Sequence, residues 1–277
     1  MQPNTYIDQI IALALAEDMG TGDITTNSIV PAGTKVNGSF KAKEEGVICG
    51  IEVAKQVFDT LDKSINFTPF CQDGDKVSKG TIIAEISGMA ASILTGERVA
   101  LNFLQRLSGI ATRTAKLAGQ LSETSTKVVD TRKTTPGMRV LEKYAVKTGG
   151  GQNHRMNLSD GILIKDNHIK AAGSISRAIE AARKNAPRTL KIEVEVENLD
   201  QVNEALDAGA DIIMLDNMDL NTMAKATTII DGRALTEASG NMEQKDLLEV
   251  ASTGVDMISM GALTHSIKAM DISLKFE

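Results

Sequence analysis

From residue 127 onward, short apolar runs at 127–131, 161–165, 190–196, 211–216, 234–239 and 256–260 alternate with stretches of helical periodicity, among them 174–186, 200–208 and 243–251. A strand that returns after each helix, roughly every 20 to 35 residues, is the pattern of parallel βαβ units, because a parallel neighbour can be reached only by a long crossover. Six such strands fit in this part of the chain, which is shorter than the ~250 residues of a complete eightfold barrel. The alternation therefore predicts an irregular, incomplete α/β barrel of about six to seven parallel strands.

The preceding residues read differently. Ile7, Ile10, Ile11, Ala14 and Leu15 share one face of a helix over 5–18, residues 35–48 alternate as a strand pair, 51–62 are helical, and Ile65–Phe70 and Thr81–Ile86 are strands. Gly96-Glu97-Arg98 opens a helix that runs to Leu121, which puts Arg98 in its first turn, where the helix dipole gives no reason for a cation. An N-terminal α/β sandwich domain is expected over 1–108, joined by the tail 266–277, with the barrel over 109–265. A chain of 277 residues has material for both cores.

Cys49 and Cys71 are too few for a disulfide framework and lack metal-ligand spacing, which favours a reducing, cytoplasmic setting. The N-terminal stretch carries acids at 8, 17 and 18 and no basic segment, unlike a signal peptide, and no apolar run approaches the ~20 residues of a membrane span.

Charge points to the chemistry. The chain carries a formal charge of −6, yet residues 130–170 hold eight Lys/Arg against four Asp/Glu, with two of the three histidines. A cationic cluster inside an acidic protein suits a small polyanion and disfavours nucleic acid. Barrel sites lie at the C-terminal ends of the strands. Those ends read Arg132-Lys133, Lys165, Glu195, Asp216, Ser239-Gly240-Asn241 and Ser259-Met260-Gly261, the last two being small turns whose N–H groups can hold phosphate. Gly149-Gly150-Gly151 ahead of Gln152-Asn153-His154-Arg155 lets backbone approach a ligand closely. IEVEVE places Glu193 and Glu195 on one strand face.

DTRKTTPGMRVLEKYAVKTGGGQNHRMNLSDGILIKDNHI, IEVEVENLDQVNEALDAGADIIMLDN, EASGN, ISMGALTHS and, earlier, EDMGTGDITT and GERVALNFLQRLSGIAT together resemble the quinolinate phosphoribosyltransferase family over nearly the whole chain. The resemblance implies transfer of a phosphoribosyl group from phosphoribosyl pyrophosphate to quinolinate with decarboxylation, giving nicotinate mononucleotide, pyrophosphate and CO2 in NAD biosynthesis, with Mg²⁺. It implies that Arg132, Lys133, His154 and Arg155, with Thr131 beside them, contact quinolinate, and that Arg98 reaches in from a neighbouring subunit. By the same resemblance Lys133 and Lys165 steady the leaving group and Glu195 and Asp216 hold the ribose and Mg²⁺, partly through substrate. The turns Ser239-Gly240-Asn241 and Met260-Gly261-Ala262 would take the 5′-phosphate. A homodimer with shared active sites is implied, with a hexamer of dimers left open. Asn241 stands where many members have Gly. The alternative is a sister phosphoribosyltransferase of the same fold acting on another anionic base.

Overall fold

The computed structural model describes residues 5–276; the first four residues and Glu277, which fall within the expected domain spans, lie outside it. Two compact units are present, one comprising residues to 115 with 135–150 and 266–277, the other 116–134 with 151–265. Residues 109–115 and 135–150, expected within the barrel span, are thus part of the first unit.

The first unit is built on an antiparallel sheet of β1 (Lys35–Ala42), β3 (Asn66–Pro69), β5 (Ile82–Met89) and β12 (Ile272–Phe276) in the order β12-β1-β5-β3, with a separate pair of β2 (Gly46–Val47) and β4 (Lys76–Val77). The expected strand pair over 35–48 does not form: β1 pairs with β5 and β12, and β2 with β4. Alternation explains β1, whose Phe40 and Ala42 turn inward. Phe40 meets Phe67 of β3 and Phe58 of the helix Ile51–Leu61 at ring-centroid distances of 5.5 and 6.1 Å, so the helix lies on the sheet face. Asp73 holds that helix's start, its Oδ1 accepting from the N–H groups of Gly50 and Ile51 at 2.9 and 3.0 Å, a favourable place for a carboxylate. The tail joins this unit through β12 and through Gln105, whose Nε2 donates to the Ile272 carbonyl at 2.7 Å.

The second unit holds six parallel strands, β6 (Lys127–Val129), β7 (Ile162–Ile164), β8 (Ile192–Val196), β9 (Ile212–Asp216), β10 (Leu235–Ser239) and β11 (Met257–Ser259), in the order β6-β11-β10-β9-β8-β7. β6 and β7 are the two edges and do not pair, so the barrel is open between them. A parallel bridge from Val129 to Gln152 lays one more short segment along β6. The strands alternate with helices such as Ile175–Asn185, Leu199–Asp207 and Leu220–Ile230, whose side-chain caps Ser174, Asn198 and Asp219 follow from the Ser/Asn/Asp preference at helix starts.

The long helix spans Ala90–Gln120, starting well before Gly96. Gly96 is not a start signal: a side chain there would press on Leu61 and Phe58 within the first unit. Arg98 accordingly sits in the helix interior, exposed, and the dipole argument for it does not hold.

Candidate active site

The strand ends of the second unit gather in an upper tier. Lys165 follows β7 directly and precedes the helix Asp166–Ala172; its Nζ donates to Glu195 Oε2 at 2.8 Å. Glu195 reaches that position because β8 alternates, with Glu193 and Glu195 on one face and the buried Ile192, Val194 and Val196 on the other. Asp216 ends β9 on the same face of the neighbouring strand and accepts from Asn217 Nδ2 at 2.6 Å. Asn217 adopts the left-handed region at φ 54° and donates its N–H to the Ser239 carbonyl at 3.0 Å, tying the ends of β9 and β10 together. Gly240, at φ 97°, is required there, since a side chain would strike Asn217 Oδ1. Asn241, at φ 49°, leads into a single 3₁₀ turn, Met242–Gln244.

The other turn expected to take phosphate, at 260–262, lies alongside β6. The Met260 N–H donates to the Val129 carbonyl at 2.9 Å, and Ala262 begins the short helix Ala262–His265. A Cβ on Gly261 would come within 2.9 Å of Lys133 Cδ and 3.0 Å of the His265 ring, so the lysine stem lies across this glycine. Thr264 Oγ1 donates to the Lys133 carbonyl at 2.8 Å, and the Lys133 N–H donates to Thr131 Oγ1 at 3.0 Å. The structure thereby brings Thr131 and Lys133 into one group with Gly261 and Ala262.

A lower tier lies inside the barrel at its open edge. Fully buried Asp130 accepts from Asn153 Nδ2 at 2.6 Å and from the His154 N–H at 2.9 Å, which fastens residues 152–154 to the end of β6. The Arg155 N–H donates to His154 Nδ1 at 2.8 Å, so the ring proton belongs on Nε2. That atom faces two buried carboxylates, at 2.9 Å from Glu193 Oε2 and 3.7 Å from Glu237 Oε2. The second oxygen of each carboxylate, Oε1, makes no hydrogen bond among the described residues. Burial first, and then the charge of Glu193, raise Glu237 from 4.5 to about 7; His154 and the Ser259 hydroxyl pull the other way. Arg155 Nη1 donates to the Gly161 carbonyl at 2.9 Å; burial, followed by the Arg132 guanidinium, lowers its affinity for its proton, and Glu193 opposes this. His154, Arg155, Glu193 and Glu237 line a cavity of about 550 Å³ that also touches Lys191, Ile212 and Met257 near the N-terminal ends of their strands. The size is that of small-molecule sites.

Two tiers replace the single row of strand ends expected from sequence. Lys165 with Glu195, Asp216 with the 239–241 turn, and Lys133 with the 260–262 turn occupy the upper one; His154 and Arg155 face the lower. Arg132 is close enough to Arg155 to act on it by charge. Arg98 belongs to the first unit and forms no ion pair among the described residues. Sequence reasoning places Glu193 with Glu195 on one strand face by their period-2 spacing, but it does not single out Asp130 and Glu237 as site residues. The same spacing of Glu237 before Ser239 is the signal that could find one of these two. Glu195 and Asp216, paired carboxylates on one face of adjacent strands, fit a hard cation such as Mg²⁺, which takes one or two carboxylates and completes its shell with water and phosphate. Cys49 is buried and its thiol is pushed up by burial, which leaves no thiolate for chemistry.

Family models of the quinolinate phosphoribosyl transferase N-terminal and C-terminal domains match residues 23–108 and 110–275. The chain is 48% identical over 258 residues to a probable nicotinate-nucleotide pyrophosphorylase [carboxylating] of Bacillus subtilis, covering 93% of this chain and 89% of that one. It is 42% identical to the chloroplastic nicotinate-nucleotide pyrophosphorylase [carboxylating] of Arabidopsis thaliana, covering 99% and 84%. The solved structure of the nicotinate-nucleotide pyrophosphorylase from Francisella tularensis superposes with a TM-score of 0.96 at 44% identity, covering 100% of this chain and 98% of that one.

Proposed function

The chain belongs to the quinolinate phosphoribosyltransferase family, and on that premise we propose that it transfers the phosphoribosyl group of phosphoribosyl pyrophosphate to quinolinate, with loss of CO2, to form nicotinate mononucleotide for NAD biosynthesis. The observation that carries the reading is the convergence, at the C-terminal ends of parallel strands, of the Lys165–Glu195 ion pair at 2.8 Å, Asp216 and two tight turns in an otherwise acidic chain. Both substrates are polyanions, and a strand-end cluster of cations above paired carboxylates suits them.

In this reading Arg132, Arg155, Lys133 and Thr131 receive quinolinate, and His154, expected among them from the resemblance, stands beside Arg155 with its ring nitrogens engaged by the Arg155 N–H and Glu193. The turns Ser239-Gly240-Asn241 and Met260-Gly261-Ala262 receive the 5′-phosphate through backbone N–H groups. Lys165 and Lys133 steady the departing pyrophosphate. Glu195 and Asp216 face the ribose, where their negative charge stabilises the positive charge that develops as the pyridine nitrogen bonds to C1 and pyrophosphate leaves. Glu195 and Asp216 would hold Mg²⁺ together with substrate oxygens, and the ion would supply neutralisation of phosphate charge. The ring nitrogen is then a pyridinium, itself an electron sink, so the carbon–carboxylate bond can break without a further organic cofactor.

We further propose a homodimer whose partner supplies Arg98, and a cytoplasmic setting. Exposure of Arg98 without an ion pair among the described residues supports the first, and two free cysteines the second. No helix of the described residues is long and apolar enough to cross a membrane.

Incubation with quinolinate, phosphoribosyl pyrophosphate and Mg²⁺ should yield nicotinate mononucleotide. Turnover of nicotinate or another acidic base in place of quinolinate would favour the sister activity instead. Mixing inactive Arg98→Ala and Lys165→Ala subunits should restore activity; no recovery in verified mixed dimers would place Arg98 outside the partner's site.

A further inference from the structure

We propose that Glu193 and Glu237 are positioning residues, which clamp the His154 ring from inside the barrel and, through that ring, set the backbone and side chain of Arg155 for the substrate's carboxylates. The inference rests on the assignment of Arg155 to quinolinate made above.

The geometry has a direction. Arg155 carries its anion-binding group on a loop that crosses the open edge between β6 and β7, where no regular ladder fixes it. Such a group must be held by its neighbours, because a loosely held ligand contact loses much of its worth. On the outer side the loop is held by Asp130, which takes the Asn153 amide and the His154 N–H. On the inner side the contact is the imidazole. Its Nδ1 takes the Arg155 N–H at 2.8 Å, and its Nε2 lies 2.9 Å from Glu193 and 3.7 Å from Glu237. Both ring nitrogens are thus oriented by protein groups, which makes His154 a strut between the barrel wall and Arg155. The Arg155 guanidinium is fixed at one end by the Gly161 carbonyl, while its Nε is buried without a partner among the described residues. A buried donor left in that condition costs free energy unless a ligand meets it.

The same three side chains offer ligand atoms within 4.8 Å of one another and could be read as a cation site. The tautomer argues against that. A metal on Nε2 would leave the neutral ring's proton on Nδ1, which already faces the Arg155 N–H, so two donors would oppose each other. A proton on Nε2 satisfies both sides.

Two measurements test the proposal. Nitrogen NMR of the imidazoles, simple in a chain with three histidines, should find His154 in the Nε2–H tautomer in the wild type and in Glu193→Gln. An Nδ1–H tautomer overturns the proposal whatever the enzyme's activity. In steady-state kinetics, Glu193→Ala should raise the quinolinate KM about tenfold and leave the phosphoribosyl pyrophosphate KM within about twofold. Glu193→Gln, which keeps an acceptor oxygen, should recover most of the loss. In a His154→Ala background, Glu193→Ala should add less than about twofold, since a residue that acts only through His154 has nothing left to act on. An undiminished effect in that background, or equal rises in both KM values, would overturn it. A wild type that turns over no quinolinate would count against the activity reading, and the tautomer would still be decided.

Discussion

Two buried carboxylate sites, one in each unit, meet their charge in opposite ways. In the first, Glu142 is fully buried and fully answered: Oε1 accepts from Arg106 Nε and Nη2 at 2.9 and 2.5 Å, and Oε2 from the Thr135 N–H at 3.1 Å. In the second, Glu193 and Glu237 are buried beside one imidazole, and one oxygen of each lacks a hydrogen bond among the described residues. The backbone divides in the same way. Of the described non-glycine residues, the three with positive φ are Asn217, Asp231 and Asn241, all in the second unit, and two of them close the upper tier. Satisfied charge and relaxed backbone serve stability, whereas under-satisfied carboxylates and left-handed turns persist where a site needs them.

The comparison breaks most visibly at Glu142. Glu142→Ala removes the carboxylate shared by Arg106 and the Thr135 N–H, leaving Arg106 the Thr135 hydroxyl as one partner, and loss of the buried half of such a pair costs on the order of 3 kcal/mol. Urea unfolding should report that loss, while the folded fraction keeps its KM for both substrates. A change in KM without loss of stability would mean that the pair serves the site.

The reverse is expected at Asp216. Asp216→Asn should lower kcat by ten- to a thousandfold, on the order of 1.4 to 4 kcal/mol of transition-state stabilisation, with the thermal midpoint little moved. An unchanged kcat at saturating Mg²⁺ would remove Asp216 from the chemistry.

Much of the upper tier is legible in the order of residues alone. Each of its charged side chains stands at the end of an apolar run, and strand ends can be read from hydrophobicity. The parallel sheet is legible for the same reason. In the lower tier His154 and Arg155 are legible after the glycine run, but the two acids that face them are not, because Glu193 and Glu237 lie three and two residues short of their strand ends, and only three-dimensional closure of the barrel brings β8 and β10 to face His154. The helix start at Ala90 is hidden by Gly96, a residue that propensity treats as a boundary and that packing against Phe58 and Leu61 requires. Likewise β1 and β2 are neighbours in sequence, yet long-range pairing with β12, β5 and β4 decides their places.

Glu237 allows the contrast to be sharpened by pH. Its folded value of about 7 stands above the ordinary 4.5, so the folded state holds a proton that the unfolded state releases. Stability should then fall as pH rises from about 4.5 through about 7, with a ceiling on the order of 3 kcal/mol once the group is ionised. Glu193, His154, Ser259 and Lys165 are the groups that act on it. Glu237→Gln removes the ionisation, and its thermal midpoint should exceed that of the wild type at pH 8 and converge with it near pH 5. Equal midpoints at pH 8 would mean that the pair is ionised without penalty.

The smallest effect is expected at Asn241, where backbone and not charge is in question. Its φ of 49° and ψ of 36° lie in the left-handed region, which Asn reaches at modest cost because its short side chain can bond locally. Gly reaches the same region freely but loses more chain entropy on folding. The two terms oppose each other, so Asn241→Gly should change stability by less than about 1 kcal/mol and the phosphoribosyl pyrophosphate KM by less than about twofold. Asn241→Val has no such compensation: a left-handed residue costs ~1 to 2 kcal/mol, and branching at Cβ adds to it. The turn can escape that strain only by moving, and its N–H groups would move with it. The valine variant should therefore raise the phosphoribosyl pyrophosphate KM more than it raises the quinolinate KM. Equal rises would detach this turn from the phosphate and leave its left-handed backbone as a feature of the turn that follows β10 alone.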